Sequence, residues 1–268
     1  MFKIALCQAG TGLKDRQANR DKIAAFIGEA AKNGAQMVCL PEMWNCPYAN
    51  EYFREYAETA EGEAVKLMSG LAKELGIYII GGSIAELEGD KVYNTSFCFD
   101  KKGDIIGRHR KVHLFDIDVP GKVRFMESDT LTAGSDMTVF ETEFCKVGVG
   151  ICYDVRFPEW FMKMAKAGAE LIFLPAAFSV TTGEAHWETI MKARAMDNQV
   201  YFAANGPARD ENGVYVAYGN SMVVGPWAEI ITKADEKECI IYADIDIEHL
   251  KEVRQQLPLL KQRRTDIY

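Results

Sequence analysis

The sequence predicts an α/β protein built as a four-layer α-β-β-α sandwich with two pseudo-symmetric halves. Short apolar runs alternate with amphipathic stretches along all 268 residues. The apolar runs are mostly continuous, which is typical of strands covered on both faces. A segment with the pattern helix–glycine–strand–proline at 31–41 recurs at 165–175, half the chain later. A second pair of similar segments lies at 95–106 and 220–231. Either match alone is compatible with chance recurrence of a common α/β unit, but two in the same order favour duplication.

The first half is predicted to begin with a strand at 3–8 and a helix at 16–33, whose apolar residues at helical spacing stop before Gly34. A buried strand at 37–40 follows, and then a helix at 62–75 that ends at Gly76. Strands at 77–84 and 92–99 flank the turn signal Gly89-Asp90, which indicates a hairpin.

The second half is predicted to contain strands at 146–151, 171–174 and 200–204, and helices at 158–167 and 187–198. Asn212-Gly213 indicates another hairpin turn, followed by strands near 222–224, 230–231 and 239–243. A helix near 247–256 leads to a basic tail. Because no low-complexity linker divides the chain, we expect a single domain over 1–268, with halves of roughly 1–140 and 141–250 and a C-terminal tail at 257–268.

The composition excludes several classes of protein. Hydrophobic residues make up 48% and charged residues 26%, which is close to the globular average and excludes intrinsic disorder. The net charge of -8 argues against binding to nucleic acid or to an anionic membrane. The longest apolar run is far shorter than the roughly 20 residues of a spanning helix. The N-terminal residues also lack the features of a signal peptide.

The cysteines indicate a reducing compartment, so we expect a cytoplasmic protein. There are 7 of them, an odd number, widely spaced and without a Cys-x-x-Cys pair, which argues against a disulfide framework and a structural zinc site. His109 and His113 stand four residues apart, but in a stretch predicted to be extended. A metal bound by this pair is the less favoured alternative, and we expect none.

Three polar residues stand where a pure core pattern would not place them. Glu42 follows the buried strand at 37–40, and Cys152 follows the strand at 146–151. Ligand sites in α/β sheets cluster beyond such carboxyl ends of strands. Lys111 lies in a charged segment after the hairpin. Each residue has a structural alternative: Glu42 as a helix or loop cap, Lys111 as a solvated cation, and Cys152 as a small buried hydrophobe.

Taken together, three segments resemble the signature segments of the nitrilase superfamily, the carbon–nitrogen hydrolases. They are Leu-Pro-Glu at 40–42, Arg-Lys-Val-His-Leu at 110–114 and Gly-Ile-Cys-Tyr-Asp-Val-Arg-Phe-Pro-Glu at 150–159, in the family's order. The resemblance covers essentially the whole chain. It implies the α-β-β-α sandwich independently of the repeat, and it carries a Glu–Lys–Cys triad onto Glu42, Lys111 and Cys152.

The resemblance implies an amidase that works through a thioester, without metal or organic cofactor. Cys152 would attack the amide, while Glu42 would take the thiol proton, protonate the departing ammonia and later activate water. The ammonium of Lys111 and the backbone N–H of Tyr153 would stabilise the oxyanion. The family also places a second glutamate against the lysine. Glu127 fits that position, with an ordinary surface charge as the alternative.

A narrower resemblance is to the ω-amidases, which hydrolyse 2-oxoglutaramate and 2-oxosuccinamate. It rests on segments 111–128, 181–187, 193–201, 206–210 and 253–258. Such substrates carry a carboxylate opposite the amide, and Arg156 can bind it bidentately. The resemblance adds the hydroxyl groups of Tyr48 and Thr182 at that end. In the alternative interpretation, Arg156 pairs with Asp154 or Glu159, and Tyr48 packs as an aromatic.

Some questions stay open at this stage. Glu184 and the pair Met43-Trp44 depart from the family pattern, which leaves the shape of the pocket undetermined. The alternative functions are an amidase for deaminated glutathione or an N-carbamoyl amine and, less favoured, a nitrilase or a catalytically silent binding protein. The expected partner is a small-molecule amide, not nucleic acid or a membrane. The family resemblance implies a homodimer or higher homo-oligomer, with the tail at 257–268 as an arm between subunits.

Overall fold

The computed structural model describes residues 1–119, 123–264 and 266–267. Residues 120–122, within the segment at 111–128 that resembles the ω-amidases, lie outside the described residues. So do Thr265 and Tyr268 of the tail.

The first sheet has seven strands. Its central strands β1, β2 and β3 are parallel, and β15 runs antiparallel to β1. Strands β3 and β4 lie along one edge of β5, and β6 lies along the other edge. The strands are β1 (Phe2–Gln8), β2 (Met37–Cys39), β3 (Tyr78–Ile80), β4 (Ile84–Glu88), β5 (Lys91–Phe99), β6 (Ile105–Arg110) and β15 (Cys239–Ile245).

The second sheet has six strands in the order β14-β13-β12-β11-β10-β9. They are β9 (Thr138–Glu141), β10 (Lys146–Val149), β11 (Leu171–Pro175), β12 (Tyr201–Asn205), β13 (Met222–Val224) and β14 (Ile230–Lys233). Its three central strands are parallel and its flanking strands antiparallel. The series β15-β1-β2-β3-β5-β6 has the same pattern of directions, so the two sheets are pseudo-symmetric. Strand β15 follows the second sheet in the chain, yet it pairs with β1.

Helices and one separate hairpin complete the described chain. The hairpin pairs β7 (Asp116–Val119) with β8 (Val123–Met126). None of the helices in the described ranges is long and apolar enough to cross a membrane. The helices are α1 (Arg16–Lys32), α2 (Asn50–Tyr56), α3 (Glu63–Leu75), α4 (Pro158–Lys166), α5 (Val180–Asn198), α6 (Ile247–Gln256) and α7 (Leu259–Gln262).

Apolar side chains from both sheets and four helices fill the interior between the layers. Leu6 of the first sheet and Phe173 of the second belong to one buried cluster between the two sheets. The outer face of the first sheet packs against α1 and α3, for example through Ile23. The outer face of the second sheet packs against α4 and α5, for example through Phe161. The layers therefore run helices, sheet, sheet, helices, which confirms the predicted α-β-β-α sandwich.

The structure differs from the sequence-based prediction in several elements. The strand expected at 77–84 is two strands, β3 and β4, separated at residues 81–83. Helix α5 begins at Val180 instead of residue 187, because the Ser179 side chain caps it by accepting from the Thr182 N–H. The prediction missed α2, β7, β8, β9 and α7, and it described the segment of β6 only as extended. Residues 212–213 lie in a turn, in which the Gly213 N–H donates to the Asp210 carbonyl at 3.2 Å, but the connection between the antiparallel strands β12 and β13 is long instead of a two-residue hairpin loop.

Candidate active site

Glu42 lies in a turn that follows strand β2, and its carboxylate is held from three directions. Oε1 accepts a hydrogen bond from Asn94 Nδ2 at 2.8 Å and one from Lys111 Nζ at 3.1 Å. Oε2 accepts the backbone N–H of Ala177, from the end of β11, at 2.7 Å. Glu42 is only 2% exposed. Its orientation is therefore set by residues of both sheets.

The break between β3 and β4 shapes the turn that carries Glu42. Gly82 has a φ of 60°, and a Cβ there would stand 2.1 Å from the carbonyl oxygen of Pro41. The next residue, Ser83, accepts the N–H of Met43 on its hydroxyl at 2.9 Å and that of Trp44 on its carbonyl at 3.1 Å. Met43 itself has a φ of 50°. This close backbone approach, which glycine permits, is the reason that the predicted single strand is interrupted.

Lys111 follows β6, and its ammonium bridges two glutamates. Its backbone N–H donates to the Asn94 carbonyl at 2.8 Å. Its Nζ donates to Glu127 Oε1 at 2.9 Å as well as to Glu42. Glu127, after β8, also accepts from the Tyr48 hydroxyl at 2.6 Å and from the Phe115 N–H at 2.6 Å. We call Glu42, Lys111, Glu127 and Tyr48 the polar cluster.

Electrostatics keep the ammonium of the polar cluster charged. Lys111 is 1% exposed and Glu127 is 0% exposed. Burial alone would lower the pKa of Lys111, but Glu127 and Glu42 outweigh burial and hold this pKa well above its usual value. Burial raises the pKa of Glu127, and Lys111 opposes that rise. A charged ammonium inside the protein can stabilise an anion that develops beside it.

Cys152 begins a 3₁₀ turn, residues 152–156, directly beyond strand β10. Its φ of 44° is unusual for a residue other than glycine. Its side chain is 6% exposed and is electrostatically coupled to Glu42 and Lys111 in the same buried region. Burial, and then the Glu42 carboxylate, raises the pKa of this thiol well above its usual value, while Lys111 partly offsets the rise. A neutral thiol near a carboxylate can pass its proton to that carboxylate as it attacks an electrophile.

Asp154 connects the turn of Cys152 to the segment that carries Lys111. Its Oδ2 accepts the Ile151 N–H at 2.9 Å and lies 3.0 Å from Nε2 of His109. Its Oδ1 lies 2.8 Å from Nδ1 of His113 and accepts the His113 N–H at 2.9 Å. Burial alone would raise the pKa of Asp154, but the hydrogen bonds from the two histidines and Ile151 hold it below its usual range. Both histidine side chains thus contact the carboxylate of Asp154.

Arg156, at the end of the same 3₁₀ turn, lines a cavity together with Cys152, Tyr153 and Thr182. We call it the Arg156 cavity. The guanidinium lies 5.1 Å from the centroid of the Phe178 ring. Within the described part of the chain, no carboxylate oxygen lies within 4.0 Å of the guanidinium nitrogens. The alternative pairing of Arg156 with Asp154 or Glu159 is therefore not observed.

The hydroxyl groups predicted for the carboxylate end of a substrate lie in two different places. Thr182 lies in the first turn of α5 and lines the Arg156 cavity. The Tyr48 hydroxyl lies instead on the polar cluster, where it donates to Glu127. Of the residues that departed from the family pattern, Glu184 is exposed and Trp44 is fully buried with its indole N–H donating to the Gly81 carbonyl.

Sequence reasoning missed several residues that hold the site. The signal for Asn94 was the run of three polar residues at 94–96 inside a strand flanked by aromatic and apolar residues. Asp154 belonged to a recognised segment, but nothing local showed what its carboxylate binds. No sequence signal existed for the N–H of Ala177. A larger cavity of about 600 Å³ lies elsewhere, near α7, and none of the candidate residues lines it.

Comparisons with known proteins found similar sequences and similar folds. The family model described as carbon–nitrogen hydrolase matches residues 3–255. "Omega-amidase NIT2" of Xenopus tropicalis is 53% identical over 94% of this chain and 92% of its own length. "Omega-amidase NIT2" of Danio rerio is 51% identical over 100% of this chain and 96% of its own length. The crystal structure of Saccharomyces cerevisiae Nit3, described as a member of branch 10 of the nitrilase superfamily, superimposes with a TM-score of 0.91. It is 42% identical and covers 98% of this chain and 96% of its own.

Proposed function

Because this chain belongs to the carbon–nitrogen hydrolase family, and is a hydrolase of non-peptide carbon–nitrogen bonds, we propose that it is an ω-amidase. It hydrolyses the terminal amide of small dicarboxylic acid amides, above all 2-oxoglutaramate and 2-oxosuccinamate, to the dicarboxylate and ammonia. The supporting relatives are named ω-amidases and match over nearly their full lengths.

In the proposed first half-reaction, Cys152 attacks the amide carbonyl while Glu42 accepts the thiol proton. The Glu42 carboxylate raises the pKa of the Cys152 thiol, which keeps the proton on sulfur until the attack and supports this direction of transfer. The charged Lys111 and the N–H of Tyr153 stabilise the tetrahedral oxyanion, for which one donor is typically worth about 2.7–4 kcal/mol. Glu42 then gives its proton to the nitrogen, the C–N bond breaks, and ammonia leaves a thioester on Cys152.

In the second half-reaction, Glu42 removes a proton from water as the water attacks the thioester. The C–S bond breaks, the acid product forms, and the thiol of Cys152 regains a proton. Glu127 holds the ammonium of Lys111 in place, which the contact of 2.9 Å supports. Both steps use only protein side chains, the backbone and water.

The observation that carries the substrate class is the placement of Arg156. It is the charged side chain in a cavity that also contains the nucleophile, and no carboxylate of the described residues neutralises it. A substrate carboxylate bound there, beside the hydroxyl of Thr182, leaves the other end of a short chain facing Cys152. Guanidinium–carboxylate pairs are charge-assisted and bidentate, which fits an anionic amide better than a neutral one.

Two variants test the proposal through ammonia release from a panel of amides. Cys152→Ala should lose activity on 2-oxoglutaramate, and a robust residual rate would exclude the thioester mechanism. Arg156→Met should lower kcat/KM for 2-oxoglutaramate by roughly 10–150-fold. This range corresponds to the free energy lost with one hydrogen bond to a charged group. The rate on a neutral amide of similar length should change little. Faster turnover of deaminated glutathione or an N-carbamoyl amine by the unmodified enzyme would instead place it with the sibling amidases.

We also propose that the enzyme works in the cytoplasm as one catalytic unit in a homodimer or higher homo-oligomer. All 7 cysteines are free, which suits a reducing compartment. The polar cluster and Cys152 take contacts from both sheets, so neither half of the chain should act alone. Truncation after Pro258 should shift the sedimentation profile toward the monomer. An unchanged profile would show that the tail is not the connecting arm.

A further inference from the structure

A second cavity, distinct from the Arg156 cavity, reaches Glu42. It is lined by Glu42 and Tyr48, by Leu13 of the connection between β1 and α1, and by Asp210 and Val214 of the connection between β12 and β13. We call it the acidic cavity. It offers about 60 Å³ to the centres of water molecules, whereas one water needs roughly 10–15 Å³. Several waters therefore fit between its mouth and Glu42.

The two cavities carry charges of opposite sign. Among the described residues that line the acidic cavity, the charged ones are Glu42 and Asp210. Among those that line the Arg156 cavity, the charged one is Arg156. A cleft lined by charge of one sign concentrates ions of the other sign. An anionic amide is therefore attracted to the Arg156 cavity and repelled from the acidic cavity. Ammonium is attracted to the acidic cavity and repelled from the Arg156 cavity.

Ala177 and Tyr215 line both cavities and form the partition between them. The Tyr215 hydroxyl donates to the Ala177 carbonyl at 2.7 Å, and the Ala177 N–H donates to Glu42 at 2.7 Å. The Tyr215 ring also lies 5.0 Å from that of Tyr48, centroid to centroid. These contacts fix the partition in place and leave Glu42 accessible from the acidic side.

The two half-reactions need this second access. Once the acyl group is on Cys152 with its carboxylate at Arg156, it fills the Arg156 cavity, which offers only about 20 Å³ to water centres. Water must nevertheless reach Glu42, and the ammonia released beside Glu42 must leave. We infer that the acidic cavity is a separate conduit through which ammonia departs and the nucleophile that cleaves the thioester arrives. This inference rests on the proposed thioester mechanism.

Competition between nucleophiles tests the conduit independently of how fast the thioester forms. Hydroxylamine or the larger methoxyamine is added with succinamate, an amide that lacks the 2-oxo group which these amines convert to an oxime. The amine nitrogen attacks the thioester carbonyl. The C–N bond forms, the C–S bond breaks, and the thiol regains its proton, which gives a hydroxamate instead of the acid. The ratio of hydroxamate to acid depends only on steps after acylation.

Val214→Trp narrows the mouth of the conduit, because Val214 is 55% exposed there. Leu13→Trp narrows the mouth from the connection between β1 and α1. An effect that both variants share cannot come from local damage to one of the two connections. Both variants should lower the yield of the methoxyamine product relative to that of the hydroxylamine product by roughly tenfold. This is the low end of the effect of one extra methyl group in a tight site. Val214→Ala should raise this ratio. Ile105→Trp, at an exposed position on β6 that lines neither cavity, should leave it unchanged.

Each outcome has a distinct meaning. If the two tryptophan variants turn over the amide but keep the product ratio of the unmodified enzyme, the conduit is excluded. If they lower turnover with an unchanged product ratio, the acidic cavity admits the substrate, and the inference is overturned. If the unmodified enzyme forms no hydroxamate and releases no ammonia, the proposed function itself fails, which is a different result.

Discussion

Asn94 donates from the interior of strand β5 to Oε1 of Glu42 at 2.8 Å, and its own carbonyl accepts the backbone N–H of Lys111 at 2.8 Å. One residue thus sets the relative positions of the Glu42 carboxylate, the proposed general base, and the Lys111 ammonium. Replacement by leucine keeps the approximate volume and removes the side-chain bond. Asn94→Leu should lower kcat on 2-oxoglutaramate by roughly tenfold or more, because bonds to charged groups are worth about 1.5–3 kcal/mol. KM should equal that of the unmodified enzyme within experimental error.

A matched control lies next to Asn94 in the same strand. The Thr95 hydroxyl donates to Glu86 at 2.7 Å, in a buried cluster away from Glu42. Thr95→Val should therefore affect stability and leave kcat nearly unchanged. Equal losses of kcat in the two variants would show that the effect of Asn94→Leu is general destabilisation.

Glu42→Gln should separate thiol ionisation from catalysis. The Glu42 carboxylate raises the pKa of the Cys152 thiol, whereas Lys111 lowers it. Removing the negative charge should therefore move the pH dependence of iodoacetamide alkylation at Cys152 to lower pH. Amide hydrolysis should be lost, because no base remains to accept the thiol proton. Alkylation rates across a pH series, read by intact mass, check the shift. A shift to higher pH would contradict this account of the site.

Tyr48→Phe should act on turnover more than on substrate affinity. The hydroxyl donates to Glu127 at 2.6 Å and lies away from the Arg156 cavity, while the ring packs against Phe53 and Phe125. The loss of one charge-assisted bond should lower kcat by about tenfold. KM for 2-oxoglutaramate should be unaffected, and Tyr52→Phe, outside the polar cluster, serves as the control. A raised KM with an unchanged kcat would return Tyr48 to the carboxylate end of the substrate.

Asp154→Asn should destabilise the protein in a pH-dependent way. The folded-state pKa of Asp154 is depressed, so its contribution to stability is present above the unfolded-state pKa of about 3.9 and is lost as the pH falls. At pH 7 the variant should lose about 3 kcal/mol or more of unfolding free energy, as for a broken buried pair. The deficit should shrink as the pH is lowered from 5 toward about 3.5.

Urea unfolding across that pH range measures the effect on Asp154. Asp244→Asn, at an exposed carboxylate on β15, provides the control and should show neither the deficit nor its pH dependence. A constant deficit at all pH values would mean that the side-chain charge of Asp154 is not what holds the turn of Cys152.

The fold was largely readable in the sequence, because local patterns carry it. Continuous apolar runs marked β1, β2, β10, β11 and β12 as doubly covered strands, and the recurrence at 31–41 and 165–175 indicated paired halves. Where a prediction was wrong, the deciding contact was not local. The chain from 77 to 84 reads as one strand, but Gly82 meets the backbone before Glu42, which no periodicity encodes.

For the site, the sequence determined which residue types follow the strand ends and in what order: Glu42, Lys111 and Cys152. Their resemblance to a family then indicated the chemistry. Only the tertiary structure decided that Tyr48 joins Glu127 beside Lys111, and that two cavities lined by charges of opposite sign share the wall formed by Ala177 and Tyr215. The physical reason is that hydrogen bonds and cavities join residues far apart in the chain. The N–H of Ala177, for example, reaches Glu42 across a sequence separation of 135 because the two sheets pack face to face.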